Sequence, residues 1–265
     1  MSDLVLRTSL VTTTSELEAL RGAWGQLLAS SATNEVMQGP LWLINWWRVY
    51  GPVQGRELCT LAMYDGDRLV GLAPLCRRSV GRFGLRRVEF MGSGEEEEHE
   101  TCSEYIGLLA AEGYEQSVAD AFGLALKNDS LAPWDEIDFI AMSSEAVISS
   151  LLTRAMGKAT VYEITGGAPF VTLPASWDDY LASQSSSRRY LIRRSLKEWG
   201  KWTGAAPTLC KVEREEQLDE AFDMLAALHE ERWQEVGHSG AFASPLSSPD
   251  HARFVSRRSA VAKLA

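Results

Sequence analysis

The sequence predicts a mixed α/β fold in which hairpin strands and amphipathic helices alternate, divided into two domains over residues 1–175 and 176–265. Three observations predict it. Apolar residues recur at helical spacing in several segments, and short strand-like runs rich in Val, Ile and Phe separate them. Asp65-Gly66-Asp67 stands between two apolar runs, a hairpin signal that a repetitive βαβ sheet would not contain. The order strand then helix also begins twice, near residue 5 and near residue 208, without a residue-level repeat to accompany it.

Taken in order, residues 5–12 alternate as a strand, and Thr14-Ser15-Glu16-Leu17 offers an N-cap for a helix carrying Leu17, Leu20, Trp24 and Leu27 or Leu28 on one face. Pro40 opens a second helix that Gly51-Pro52 ends. Its Trp42, Trp46 and Trp47 read as core packing, with a ligand platform as the other reading. Residues 57–64 and 68–77 are the hairpin arms, and LRRVEFMG at 85–92 and EYIGLLA at 104–110 are strands on either side of the acidic run GEEEEHE. Residues 113–127 are helical by the spacing of Val118, Ala121, Phe122 and Ala125. The strand EIDFIAM, a helix over 144–156 and the strands ATVYEIT and PFVTL follow. Trp177-Asp178-Asp179-Tyr180 leads into a basic helix closed by Gly204 and Pro207, LCKVE is a strand, and residues 215–236 form a long helix with His229 among Phe222, Leu225 and Trp233 on its apolar face.

With 265 residues, 45% hydrophobic and 23% charged, the chain can bury two cores. Its net charge of −10 is uneven. Up to residue 187 there are 13 Lys and Arg against 25 Asp and Glu, and after it 13 against 11. DNA binding would need a basic domain, and this is at most one basic helix. Cys59, Cys76, Cys102 and Cys210 are scattered without CxxC spacing, so neither a zinc site nor a disulfide framework is expected. The N-terminus lacks a basic segment followed by a continuous apolar run, and no stretch approaches 18 apolar residues. No membrane span and a cytoplasmic location are therefore expected.

The most conspicuous segment is SSSRRYLIRRSLKEWGKW at 185–202, where six of eighteen residues are Arg or Lys. As a helix it places Arg189, Arg193, Lys197 and Lys201 in one slowly drifting stripe and Ile192, Leu196 and Trp199 on another face. Arg188, Arg189, Arg193 and Arg194 form the candidate anion- or phosphate-binding set, because guanidinium forks match phosphate and carboxylate. Two plainer readings stay open: a solvated face, or ion pairs with the acidic first domain.

Several motifs fall in a fixed order. They are Pro40 with Trp42 and Trp46, then Gly71-Leu72-Ala73-Pro74-Leu75, then Cys102-Ser103-Glu104-Tyr105 in the first part. The second part has Ser187-Arg188-Arg189-Tyr190-Leu191-Ile192-Arg193-Arg194 and Leu228-His229-Glu230-Glu231-Arg232-Trp233 with Gly237. In these the chain resembles the cellulose biosynthesis proteins of the CelD type, the BioF-like branch of the GNAT acyltransferases, similar in turn to the FemAB aminoacyl-transferases that pair two GNAT-like domains. The resemblance covers most of residues 1–240. It implies tandem GNAT-like folds and transfer from acetyl-CoA or another acyl-CoA to a small-molecule or polysaccharide-precursor acceptor. Family members run well beyond the length seen here, so it also implies that residues 176–265 are only the start of the second domain and that transfer is weak or lost. Two other readings accompany it: a non-catalytic remnant that binds a partner, and a FemAB-like transferase using charged tRNA.

Acyl transfer needs a pyrophosphate cradle, a base and an oxyanion donor. The first-domain junction LAAEGY at 109–114 lacks a Gly-rich cradle. His229 is the candidate base, although a lone histidine on an apolar face is more often core. Glu104 and Tyr105 are candidates by position, at the start of a strand beside the acidic loop that holds His99. HEERW lacks the second histidine of HExxH, so no metal ligand set is expected.

Overall fold

The computed structural model describes residues 5–52, 54–96, 101–128, 130–157, 160–204, 210–237, 240 and 242. Among these the fold is mixed α/β. The strands are β1 (Arg7–Val11), β2 (Glu57–Leu58), β3 (Thr60–Asp65), β4 (Arg68–Ala73), β5 (Leu75–Val80), β6 (Leu85–Phe90), β7 (Leu109–Ala110) and β8 (Glu136–Asp138). The helices are α1 (Thr14–Ala19), α2 (Arg21–Ala29), α3 (Pro40–Tyr50), α4 (Glu115–Lys127), α5 (Val147–Met156), α6 (Trp177–Ser183), α7 (Ser186–Thr203) and α8 (Leu218–Glu235). The chain divides into two compact units, one of residues up to Tyr162 together with those from Leu218 on, the other Glu163–Gln217.

The strands form two sheets, ordered β1-β3-β4-β7 and β2-β5-β6-β8. Both contain arms of the same hairpin. Its turn is Asp65-Gly66-Asp67, where Gly66 takes φ 58°. Further along, the arms switch sheets at Cys59 and Pro74, so β3 and β4 lie in the first sheet while β2 and β5 lie in the second. Pro74 has no N–H to continue a ladder. The arms stay joined there because Cys59 N and Thr60 Oγ1 both donate to the Leu75 carbonyl at 3.1 Å. The outer partner changes at the same point. β4 pairs with β7 through Gly71 and Leu72 only, whereas β5 pairs with all of β6. All pairings are antiparallel except β6 with β8, which is parallel and reinforced by Arg86 on Asp135 and Arg87 on Glu136. Residues 91–108 therefore connect strands that belong to different sheets.

Helices cover these sheets through residues whose periodicity the sequence displays. Thr13, one residue before the predicted cap, is the N-cap of α1. Its hydroxyl accepts from Glu16 N, and Glu16 reaches back to Thr12 N and Thr13 N. Those donors hold the Glu16 carboxyl below its ordinary pKa. The predicted single helix is two, α1 and α2, divided at Leu20. Four tryptophans of α2 and α3 pack in or against the core with satisfied indoles: Trp24 donates to the Gln38 carbonyl, Trp42 to Ser103, Trp46 to Glu95 and Trp47 to Thr14. α4 approaches β4 so closely that a Cβ on Gly71 would sit 2.6 Å from Val118 Cγ2.

Several predicted strands are shorter or missing. Residues 104–110 contribute only β7, because Cys102 and Tyr105 adopt φ 51° and 57°, which turns the chain out of an extended path. EIDFIAM contributes only β8. The described parts of ATVYEIT, PFVTL and LCKVE form no strand; Val161, Ile164, Phe170, Val171 and Leu173 are exposed, so nothing covers their apolar side chains. The tail after residue 242, the His99 end of the acidic run and Pro207 lie outside the described residues. Among the described residues no helix is long and apolar enough to cross a membrane.

Candidate functional site

The basic helix α7 begins at Ser185, whose hydroxyl accepts from Arg188 N, and ends at Gly204 in the left-handed conformation at φ 69°. None of its residues is buried. Arg189, Arg193, Arg194, Lys197 and Lys201 line one shallow groove of about 590 Å³; Arg188 lies outside it. Among the described residues only Arg194 of these has a carboxylate partner, Glu198 at 2.7 Å, which pushes the arginine pKa up. Arg189 donates to the Ala182 and Gln184 carbonyls at 3.1 and 2.6 Å, contacts that orient the guanidinium without neutralising it. Arg188 and Arg189 also stand in the first turns of the helix, where a cation opposes the positive end of the macrodipole. Their placement therefore adds nothing to the stability of the helix itself.

A second cationic centre was silent in the sequence. Arg56, with a fully buried side chain, donates from Nη1 to Glu89 at 2.8 Å, from Nε and Nη2 to Gln54, and from Nη2 to the Gly94 carbonyl at 2.6 Å. Arg78 holds the same Glu89 carboxylate from the other side at 3.0 Å. The Arg56 guanidinium also lies 5.1 Å from the Trp46 ring. Every nitrogen of the Arg56 guanidinium and both Glu89 carboxylate oxygens are engaged within the protein, so the centre is a strut.

The remaining site candidates are not gathered in one pocket. Tyr105 lines a hollow of about 280 Å³ with Gln38, Glu145 and Ser149; Glu104 is exposed and does not line it. Gln38 fixes the turn at Tyr105 by donating to its carbonyl and accepts from Thr33 Oγ1 at 3.1 Å. His229 sits half-buried on α8 in an aromatic group, with ring centroids 5.9 Å from Trp233 and 5.0 Å from Phe242. Gln38, Glu145 and Ser149 were missed because they are far apart in sequence and carry no motif. Among the described residues no three metal-ligating side chains converge.

At the β7–α4 junction, Ala111 N donates to Val70, Glu112 N to Ser30 and Tyr114 N to Ala111. Those amides are already engaged, and the Glu112 and Glu115 carboxylates add negative charge, so the junction does not fit a pyrophosphate. The face of α7, by contrast, gathers Arg189, Arg193, Arg194, Lys197 and Lys201 with a single carboxylate, Glu198, in one groove. Neither a protein-family model nor a curated protein matches the chain.

Proposed function

We propose that this protein is an acyl-CoA-dependent acyltransferase of the GNAT-like kind, in tandem arrangement, whose α7 takes the phosphate groups of the cofactor. The acceptor is a small amine, sugar or polysaccharide precursor. The observation that carries this reading is the run of cations on α7. Arg189, Arg193, Lys197 and Lys201 share one exposed groove and have no carboxylate partner among the described residues. Charge of this density and spacing suits a ligand with several phosphates, and guanidinium forks bind phosphate with geometry as well as charge. The order of motifs from Pro40 to Gly237 supplies the acyl-transfer part of the reading. Transfer is slow, because His229, Glu104 and Tyr105 are not gathered into one pocket that would hold a base against an acceptor.

Calorimetric titration of the full chain with coenzyme A tests this. Binding is expected to weaken about tenfold or more in the doubly substituted Arg189→Ala, Arg193→Ala protein, since each charged hydrogen bond is worth about 1.5–3 kcal/mol. It should also weaken with added salt. Equal affinity in the two proteins overturns the assignment. Charged tRNA would use the same stripe, and salt-sensitive binding of tRNA by a protein that fails to bind coenzyme A would favour that second reading.

A further inference from the structure

The cations of α7 occupy one half of the helix, and its other half is apolar. At about 100° per residue, Leu191, Leu196, Trp199 and Trp202 fall within an arc of about 140°, opposite Arg193 and Lys197. All four are exposed, Trp202 to 85%, and Ile192 between them is half-buried. An apolar stripe of this width ordinarily faces a core, yet among the described residues nothing buries this one. Two indoles left in water are the costliest part of the arrangement. A tryptophan joins a large apolar ring to one polar N–H, which suits a boundary between water and hydrocarbon better than water itself.

The cations border that arc on both sides. Arg189 lies next to Leu196 on one flank, and Arg194 and Lys201 lie beyond Leu191 on the other, with Glu198 between them paired to Arg194. Arg188, one turn before Ile192, closes the N-terminal end of the face, where a long side chain keeps its charge outward while its stem follows apolar groups. Six cations against one carboxylate give α7 a net charge of +5 within a chain of −10. An anionic surface therefore attracts this helix and repels the remainder, so α7 is the element that meets it. A phosphate ligand or an RNA would engage the cations and leave the indoles in water. A protein partner would need a hollow for two indoles with acid along both flanks. A bilayer of anionic lipid offers both along the whole helix, about 27 Å, and adapts to its shape.

We propose that α7 docks on the surface of an anionic lipid bilayer, with Leu191, Leu196, Trp199 and Trp202 at the boundary of headgroups and acyl chains and with Arg188, Arg189, Arg194 and Lys201 among the headgroups. A charged face, an apolar face with tryptophan and low overall hydrophobicity are what a helix lying in that plane requires. The helix lies on the membrane and is not apolar enough to cross it. The inference does not rest on the coenzyme A reading, because the apolar arc takes no part in that reading. Arg193 and Lys197, opposite the arc, stay on the water side and remain open to a soluble ligand.

Co-sedimentation of the full chain with vesicles tests this, using mixed phosphatidylserine and phosphatidylcholine in one series and phosphatidylcholine alone in another. Binding to the anionic vesicles is expected to be about tenfold or more tighter and to weaken with added salt. Trp199→Ala with Trp202→Ala should weaken it by about tenfold or more, since two large apolar rings no longer leave water. The circular dichroism spectrum of that variant should stay the same, because both side chains are exposed and alanine favours the helix. Its calorimetric titration with coenzyme A should also be unchanged, so failure of the lipid proposal and failure of the cofactor reading are separate results. Absence of binding to the anionic vesicles overturns the proposal, as does equal binding to both lipids or full binding by the variant without the two tryptophans. A protein that stays off vesicles but dimerises, in sedimentation equilibrium, only with both tryptophans present would give the face to a second copy and overturn it as well.

Discussion

Arg56 and the arginines of α7 use the same side chain for opposite ends. The Arg56 side chain is wholly buried, and its guanidinium hydrogen-bonds to Glu89, Gln54, the Gly94 carbonyl and Cys76 Sγ. On α7, Arg189 and Arg193 line an open groove, and neither has a carboxylate partner among the described residues. A charge taken out of water must be completed by its own protein, because the desolvation penalty is several kcal/mol per ion. A charge left at the surface has no such demand and stays available to a ligand. The difference teaches that density of charge in a sequence marks availability, while structural importance rests with single charges that the fold buries.

The first way to break this comparison is to remove the buried member. Arg56→Ala leaves Glu89 3% exposed, with only Arg78 beside it, and should cost about 3–5 kcal/mol of unfolding free energy, measured by urea denaturation. Replacing the pair together, Arg56→Met with Glu89→Leu, should recover most of that loss, since apolar groups of similar volume need no partner. A loss below about 1 kcal/mol for Arg56→Ala would mean that the centre is hydrated and is no strut.

A smaller effect is expected where the sheet touches its helix without charge. Gly71→Ala places a Cβ 2.6 Å from Val118 Cγ2 and 2.9 Å from Cγ1, so α4 must shift or β4 must bend. Overpacking of this kind costs about 1–3 kcal/mol, and Val118→Ala in the same chain should relieve it. Failure of the second substitution to rescue the first would locate the strain in the strand itself.

How much of this was legible in the sequence depends on how local each cause is. Helix faces, Pro40 as a helix start, the Asp65-Gly66-Asp67 turn and the α7 stripe arise from neighbours within a few residues, and the sequence displays them. The Arg56–Glu89 pair spans 33 residues and the Gln38–Tyr105 contact 67, and no local pattern announces either. The apolar runs 159–165 and 169–173 mislead for a related reason. Val161, Phe170 and Leu173 have the composition of strands, but a strand also needs a neighbour, and none pairs with them among the described residues.

The buried centre can also be sharpened through its thiol. Burial pushes the Cys76 pKa from an ordinary value of 9.0 to about 11, and Arg56, 3.7 Å from the sulfur, pulls it part of the way back. A pKa raised in the folded state contributes stability that is fully present below the unfolded value. Stability should therefore decline as pH rises from about 9 to about 11 and then level with respect to this group. Cys59, raised in the same direction by burial, extends that decline. In a thiol assay at pH 8, the exposed Cys102 and Cys210 should react quickly, and Cys59 and Cys76 only as fast as the fold opens. Rapid reaction of all four would show that the interior is open to reagent.

The smallest effect on stability belongs to α7, and its smallness is the point. Arg189→Ala with Arg193→Ala removes two cations from a helix with no buried residue, and Arg189 gives up only bonds to two backbone carbonyls. Surface changes of this kind usually stay within about 0.5 kcal/mol, so Tm should move by no more than about 2 °C. Alanine is the better helix former, and relief of a cation at the positive end of the dipole acts in the same direction. The net change can therefore be slightly stabilising at low salt and should vanish as salt screens the charges. A protein that loses coenzyme A binding while keeping its Tm separates availability from support in the way the comparison requires. A loss of several degrees would place Arg189 or Arg193 with Arg56 among the struts, and the asymmetry between buried and exposed arginines would fail.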